Sequence, residues 1–232
     1  MKAFFAPLAI ITILITSFVP VTFAATTEAQ GGQVTLKPTD DTYINMDKID
    51  SNYGSSEKLR VCLAHYWTWL KFDLSSVPEG AIEITAVLEL YTTYDGVTDP
   101  HNVVACIVLN NFNNSWSEAT LTCRNMPYQD DLELDTEYVV NNETWYEWVV
   151  TEAVVNAIAN KTTAVTILMK YPWGMDAPSV SFNSKEASVT KFPKLTISWN
   201  DVVPEFSSFA ILPIFMIMTL FAVRIYKRKR II

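Results

Sequence analysis

Histidine and cysteine are scarce in this chain, and that scarcity excludes much chemistry at the outset. Its 232 residues hold two histidines, His65 and His101, and three cysteines, Cys62, Cys106 and Cys123. The cysteines stand 44 and 17 residues apart, which matches no zinc-ligand spacing. Nucleophilic catalysis by serine or cysteine needs a histidine beside the nucleophile. His65 in "AHYWTW" and His101 in "TDPHN" both read as surface-loop residues outside any such motif. A phosphate-binding glycine loop, a dinucleotide glycine pattern and a zinc helix are missing as well. Three cysteines in an exported chain allow one disulfide and a leftover thiol, or buried thiols that act as small apolar groups.

Positive charge is also scarce through the middle of the chain. There are 17 basic and 25 acidic residues, and six of the basic ones are Lys2, Arg224, Lys227, Arg228, Lys229 and Arg230. The body between the two ends is therefore at about −13. A nucleic-acid-binding body would need a basic stripe to replace counterions, so no nucleic-acid partner is expected. An acidic exterior fits a soluble surface protein, a salty habitat or cation binding. Two carboxylates suffice for a glycosidase, and acids abound here, but the body is expected to be non-catalytic, a polysaccharide-active hydrolase or lyase being the lesser alternative.

What the body lacks in charge balance, the two ends have in apolar length. Met1-Lys2 is followed by an apolar stretch from Ala3 to Val19 and by a small residue at Ala24. This is the pattern of a secretory signal peptide over residues 1–24, cleaved after Ala24. At the other end, residues 206–226 are long enough to cross a bilayer, which takes ~20 residues. The basic stop Lys227-Arg228-Lys229-Arg230 follows directly. Basic residues stay on the cytoplasmic side, so the body is expected to face outward from a single C-terminal transmembrane helix.

Between the ends, hydrophobic alternation has a period of two. Ile82, Ile84, Ala86, Leu88 and Leu90 share one face, as do Leu195, Ile197 and Trp199, and Leu59, Val61 and Leu63. Such runs predict half-buried strands. Residues 103–109 are apolar at both parities, as in a strand covered on both faces. Only "TEAVVNAIAN" (151–160) reads as helix, with Thr151 as its N-cap and Val154, Val155 and Ile158 as its apolar face. The expected fold class is all-β: an antiparallel, jelly-roll-like β-sandwich with one short helix. Residues 25–37 form a polar lead-in and first strand, and residues 38–200 form the sandwich.

Specific stretches then become recognisable. "PTDDTYINMDKIDSNYGSSEKLRV" (38–61), "WLKFDLSSVP" (69–78), "WSEATLTCRNMP" (116–127), "VSFNSKEAS" (180–188) and "FPKLTISW" (192–199) occur in the order of the DNRLRE domain, also classed as carbohydrate-binding module family 96. The body resembles that domain over about residues 38–199. The resemblance implies an extracellular β-sandwich whose partner is a polysaccharide or cell-envelope glycan. Cys123 stands where the family usually has tryptophan, so packing there must differ. The tail "VPEFSSFAILPIFMIMTLFAVRIYKRKR" (203–230) resembles the PEF-type C-terminal sorting signal of archaeal surface proteins. That resemblance implies a sorting motif at Pro204, Glu205 and Phe206 within a 204–232 tail, read by a membrane-embedded sorting transpeptidase. The alternative is a permanent membrane anchor.

Candidate ligand residues are the aromatics in predicted turns. Sugar rings present apolar C–H faces to aromatic rings, and Tyr66, Trp67 and Trp173 are the candidates for carbohydrate stacking. Trp116, Trp148 and Trp199 are expected in the core. Hard oxygen donors crowd "TDDTYINMDKIDSN", which is either a solvated acidic loop or a calcium site with Asp41, Asp50 and Asn52 as ligands. Glu118 in "WSEAT" is expected to satisfy turn or loop backbone. Asn113, Asn142 and Asn160 each begin an Asn-x-Ser/Thr acceptor for glycosylation. The competing function is a structural or adhesion protein that packs against other envelope proteins.

Overall fold

The computed structural model describes residues 31–62, 65–98, 100–108, 114–127, 131–172, 179–201, 216–221, 224 and 226. Strands occur at β1 (Gly31–Leu36), β2 (Asp40–Asn45), β3 (Lys58–Val61), β4 (Tyr66–Asp73), β5 (Ala81–Val97) and β6 (His101–Val108). They continue with β7 (Asp131–Val139), β8 (Trp145–Val149), β9 (Ala164–Lys170), β10 (Val180–Asn183) and β11 (Lys194–Asp201), with helix α1 (Thr151–Ala159) between β8 and β9. One sheet runs β1-β11-β5-β10-β3, with β8 also paired to β5; the other runs β2-β4-β9-β6-β7. Every pairing is antiparallel.

The core lies between the two sheets because their inward residues are apolar at every second position. Ala86, Leu88 and Leu90 of β5 meet Leu195 and Ile197 of β11 and Phe182 of β10. Facing them are Leu70 and Phe72 of β4, Val103 and Ala105 of β6, and Ile167 and Met169 of β9. Trp148 is fully buried, and its ring N–H donates to the Val103 carbonyl at 2.9 Å. Burying side chains of this size supplies ~1.5–3 kcal/mol each. The helix contributes Ala153, Val154 and Ala157 to the same core.

Three local expectations need correcting. Ile82 is 43% exposed rather than inward. The β5–β11 register shifts between Ser198 and Asn200, and Glu83 adopts φ 51°, so the alternation reverses before Ile84. Thr151 does not cap α1; the N-cap position is Val150, and the Thr151 hydroxyl instead accepts the Ala86 N–H at 2.9 Å. The helix accordingly turns Val155 outward, 42% exposed. His101 is buried at the start of β6 against Tyr171, with ring centroids 5.1 Å apart, not in a surface loop.

A second, smaller cluster covers the outer face of the five-stranded sheet. Val104, Cys106 and Val108, the β6 residues of opposite parity to the core set, join Ile44, Trp69 and Leu168 there. The segment 114–127 lies over them through Trp116 and Leu121. It is held in place by bonds at several points. The Trp116 ring N–H donates to the Thr166 hydroxyl at 3.0 Å, and the Lys71 ammonium bonds the Trp116 carbonyl at 2.5 Å and Asp40 at 2.8 Å. Cys123 packs beside this cluster, half-buried, and no disulfide joins the three cysteines. Among the described residues no helix is long and apolar enough to cross a membrane; most of 206–226 and all of 1–30 lie outside them.

Candidate functional site

With one outer face covered by residues 114–127, the other outer face is open among the described residues. The strand registers place its side chains in rows across β1, β11, β5 and β8. One row is Gln33, Ser198 and Thr85; the next is Thr35, Thr196, Val87 and Val149. Lys194, Glu89 and Glu147 form a third, and Tyr91 and Trp145 a fourth. Strands lie ~4.8 Å apart, so four strands span about 15 Å, enough for several sugar rings. Hydrogen bonds organise the rows. Gln33 donates to Ser198 at 3.0 Å, Thr35 and Thr196 share a bond of 3.1 Å, and Thr196 donates to Glu89 at 3.4 Å. Gln33 and Thr35 are exposed, so their remaining donors and acceptors meet solvent.

The aromatic end of this face is also its basic end. Tyr91 and Trp145 meet edge to face at 5.2 Å. The Lys194 ammonium stands 4.1 Å from the Trp145 ring centre, and the Lys191 ammonium stands 4.3 Å from that of Tyr91. Such contacts contribute about 0.5–1 kcal/mol at exposed sites. Lys191 also donates to the Tyr91 hydroxyl at 2.9 Å, a bond that raises the lysine pKa. The face therefore combines the half-buried Trp145 ring, two lysine ammoniums and rows of hydroxyl, amide and carboxylate groups.

A cavity of about 330 Å³ opens beside the covering segment, lined by Ser115, Trp116, Ser117, Thr120, Asn125 and neighbours. Its polar groups already serve one another. Asn125 accepts from the Thr122 N–H at 2.7 Å and donates to the Thr120 carbonyl at 2.9 Å, while Thr120 donates to the Ser117 carbonyl at 3.4 Å. That pattern holds a loop in shape and leaves few free groups for a ligand.

At the opposite edge of the sandwich, Asp41, Glu118 and Glu186 converge on Lys185. Asp41 is 1% exposed. Its Oδ2 accepts the Lys185 backbone N–H at 2.7 Å, and its own N–H donates to Glu118 Oε2 at 2.9 Å. The Lys185 ammonium bonds Glu118, and Glu186 at 2.5 Å. Burial pushes the Asp41 carboxyl up to about 7. Glu186 is held low against its partial burial by the Lys185 hydrogen bond. Lys185 is raised against its own burial by bonds to Glu118 and Glu186. Glu118 does satisfy backbone, as expected of it, and also joins a charge cluster.

The model of carbohydrate-binding module family 96 matches residues 32–199, the whole two-sheet body. The chain belongs to that family. No curated protein matches it. The family is one of carbohydrate-binding modules, which are typically non-catalytic.

Within the module the residues singled out from sequence are distributed as follows. Tyr66 and Trp67 are neighbours on β4 and therefore point to opposite faces. Tyr66 packs with Tyr43 at 5.7 Å and under Arg60 at 4.3 Å, whereas Trp67 packs half-buried against the covered cluster. The structure does not bring them onto one platform. Asp41, Asp50 and Asn52 are likewise separate. Asp50 is exposed and paired with Arg124 at 2.5 Å, which lowers its pKa. The Asn52 amide donates to the Glu118 and Leu121 carbonyls at 2.6 and 2.7 Å, pinning the covering segment. Asn142 and Asn160 are both exposed in turns. Asn113, Trp173, Ala24, Pro204, Glu205 and Phe206 lie outside the described residues. Trp145 and Tyr91 were not singled out from sequence, and the structure places them on the outer side of β8 and β5. Their signal was parity: Trp145 is three residues from the inward Trp148, so on a strand it faces outward.

Proposed function

We propose that this module is exported and holds a polysaccharide or cell-envelope glycan at the cell surface. The open face of β1, β11, β5 and β8 would be the binding surface, and the half-buried Trp145, backed edge to face by the buried Tyr91, its platform. The single observation that supports this is the asymmetry of the two outer faces: residues 114–127 cover one, and the other, among the described residues, carries polar rows that end at the half-buried Trp145. Lys191 and Lys194 would favour acidic over neutral chains on an otherwise acidic protein. The chain crosses repeatedly between sheets from β1 to β6, which supports a jelly-roll-like wiring. A glycan array probed with residues 25–203 tests the reading. Retention on at least one polysaccharide, stronger for carboxylated or sulfated members, is expected; no retention on any would refute it.

One observation favours a structural envelope role instead. The Trp145 and Tyr91 rings are covered by ammonium groups, which suits a face that packs against an acidic neighbour. Saturable binding to free oligosaccharide separates the two, since a packing face would show none.

Surface attachment would follow from the ends of the chain. The signal peptide would leave after Ala24, and the tail would be cut near Pro204-Glu205-Phe206 by a membrane-embedded sorting transpeptidase. C-terminal peptide mapping of protein from its native host tests this. An unbroken tryptic peptide from residue 195 to 224 as the main species would indicate a permanent span.

A further inference from the structure

The cluster around Lys185 has more negative charge than its single cation balances. Asp41, Glu118 and Glu186 each offer a carboxylate oxygen, and the three oxygens lie within 4.8 Å of one another. Lys185 bonds Glu118 and Glu186, but its ammonium is 3.9 Å from Asp41 Oδ1, beyond hydrogen-bond range. That buried oxygen accepts no hydrogen bond from any described residue. A buried carboxylate oxygen without a donor is costly, and this one is aimed at the other two carboxylates. Three ionised acids against one ammonium would leave two charges uncompensated, and in metal-free protein a proton held on Asp41 relieves part of that excess. The neighbouring Asp40 is already matched by Lys71 at 2.8 Å and does not share the deficit.

We propose that Asp41, Glu118 and Glu186 form a calcium site, with the ion taking the position the Lys185 ammonium holds. Calcium binds oxygens at about 2.3–2.6 Å, so oxygens around one ion lie no more than about 5.2 Å apart, a limit these three meet. Magnesium demands near-ideal octahedral geometry and holds its waters, whereas calcium accepts an irregular shell of carboxylates and water, so calcium is the ion expected. Lys185 has a long flexible stem and a 14% exposed side chain, so its ammonium swings toward solvent when the ion enters. The three ligands come from different places: β2 of one sheet, the turn after β10 of the other, and the covering segment 114–127. One ion therefore clamps both sheets and the cover together. Three carboxylates with water completing the shell belong to the weak, extracellular class of sites, with Kd on the order of 0.1–1 mM.

The test is calorimetric titration of calcium chloride into residues 25–203 freed of metal with chelator, paired with melting curves in calcium, magnesium and sodium at matched ionic strength. One calcium per chain and a higher melting temperature in calcium alone are expected. Lys185→Met, which removes the competing ammonium, should bind calcium more tightly by about tenfold or more. Asp41→Asn should abolish binding; should that variant not fold, Glu186→Gln, at an exposed position, should weaken binding by about tenfold. Absence of a calcium isotherm up to about 10 mM, an equal response to magnesium, or unchanged affinity in Glu186→Gln would each overturn the proposal.

Discussion

Replacing Glu118 by alanine should loosen the cover on the five-stranded sheet, and its cost can be worked out from the contacts. The Asp41 N–H loses its acceptor at 2.9 Å in a residue that is 1% exposed. An orphaned buried donor costs about 1–3 kcal/mol. The ion pair with Lys185 is lost as well; both side chains are largely buried, at 14% and 23% exposure, but Lys185 keeps Glu186, so this adds ~1 kcal/mol or less. The sum is about 1–4 kcal/mol. For a chain of this size, 1 kcal/mol moves the melting temperature by about 2–4 °C, so Glu118→Ala should melt roughly 2–16 °C lower in chelator. Glu118→Gln keeps an oxygen for the Asp41 N–H and should cost about 1 kcal/mol. Urea unfolding with intrinsic tryptophan fluorescence reads both. Equal costs for the two variants, or costs under ~0.5 kcal/mol for each, would refute the reasoning.

Other expectations are independent of that one. The raised Asp41 pKa means the native state keeps a proton that the unfolded chain, at the ordinary value of 3.8, has released. Native protein then binds more protons between about 4 and 7, so the contribution is present at low pH and is lost as pH rises through 7, by at most about 1.4 kcal/mol per pH unit. Unfolding of metal-free protein from pH 5 to 8 should show that fall and Asp41→Asn should lack it; a rise with pH would contradict it. Trp148→Ala, which empties a fully buried site, should cost about 3–5 kcal/mol by urea titration. If the acceptors are used, Asn142 should be occupied ahead of Asn160. The Asn160 amide nitrogen donates to the Asn156 carbonyl at 2.8 Å, while Asn142 is held by its oxygen to the Val97 N–H at 2.7 Å. Glycopeptide mapping from the native host decides it, and occupancy confined to Asn160 would be the opposite result.

Much of the fold was legible because strand parity is a local signal. The runs at 82–90, 103–109 and 195–199 each revealed which side was apolar, and the double-sided 103–109 run correctly implied a cover on the far face. Parity failed at Ile82, where a bulge and the positive φ of Glu83 reverse the faces, and bulges leave little trace in composition. Thr151 misled because its hydroxyl serves Ala86 on a distant strand. The site was less legible. Tyr66 and Trp67 are adjacent in sequence and look like one aromatic patch, yet adjacency on a strand separates them. The Asp41 cluster combines residues up to 145 positions apart, whereas the acidic run from Asp40 to Asn52 suggested a local loop site. Trp145 and Lys194 meet only because β5 brings β8 and β11 together.

The measurement that tests carbohydrate recognition by the open face most directly compares Trp145→Ala with the parent chain on a retained polysaccharide, by affinity electrophoresis and calorimetry. Loss of an aromatic anchor costs about 1–3 kcal/mol of binding, so affinity should fall by roughly tenfold to a hundredfold. The melting temperature should move by no more than ~2 °C, because Trp145 is half-buried at the surface. Trp67→Ala, on the covered side, should keep the glycan affinity. Undiminished binding by Trp145→Ala together with loss in Trp67→Ala would move recognition to the covered face and contradict the assignment.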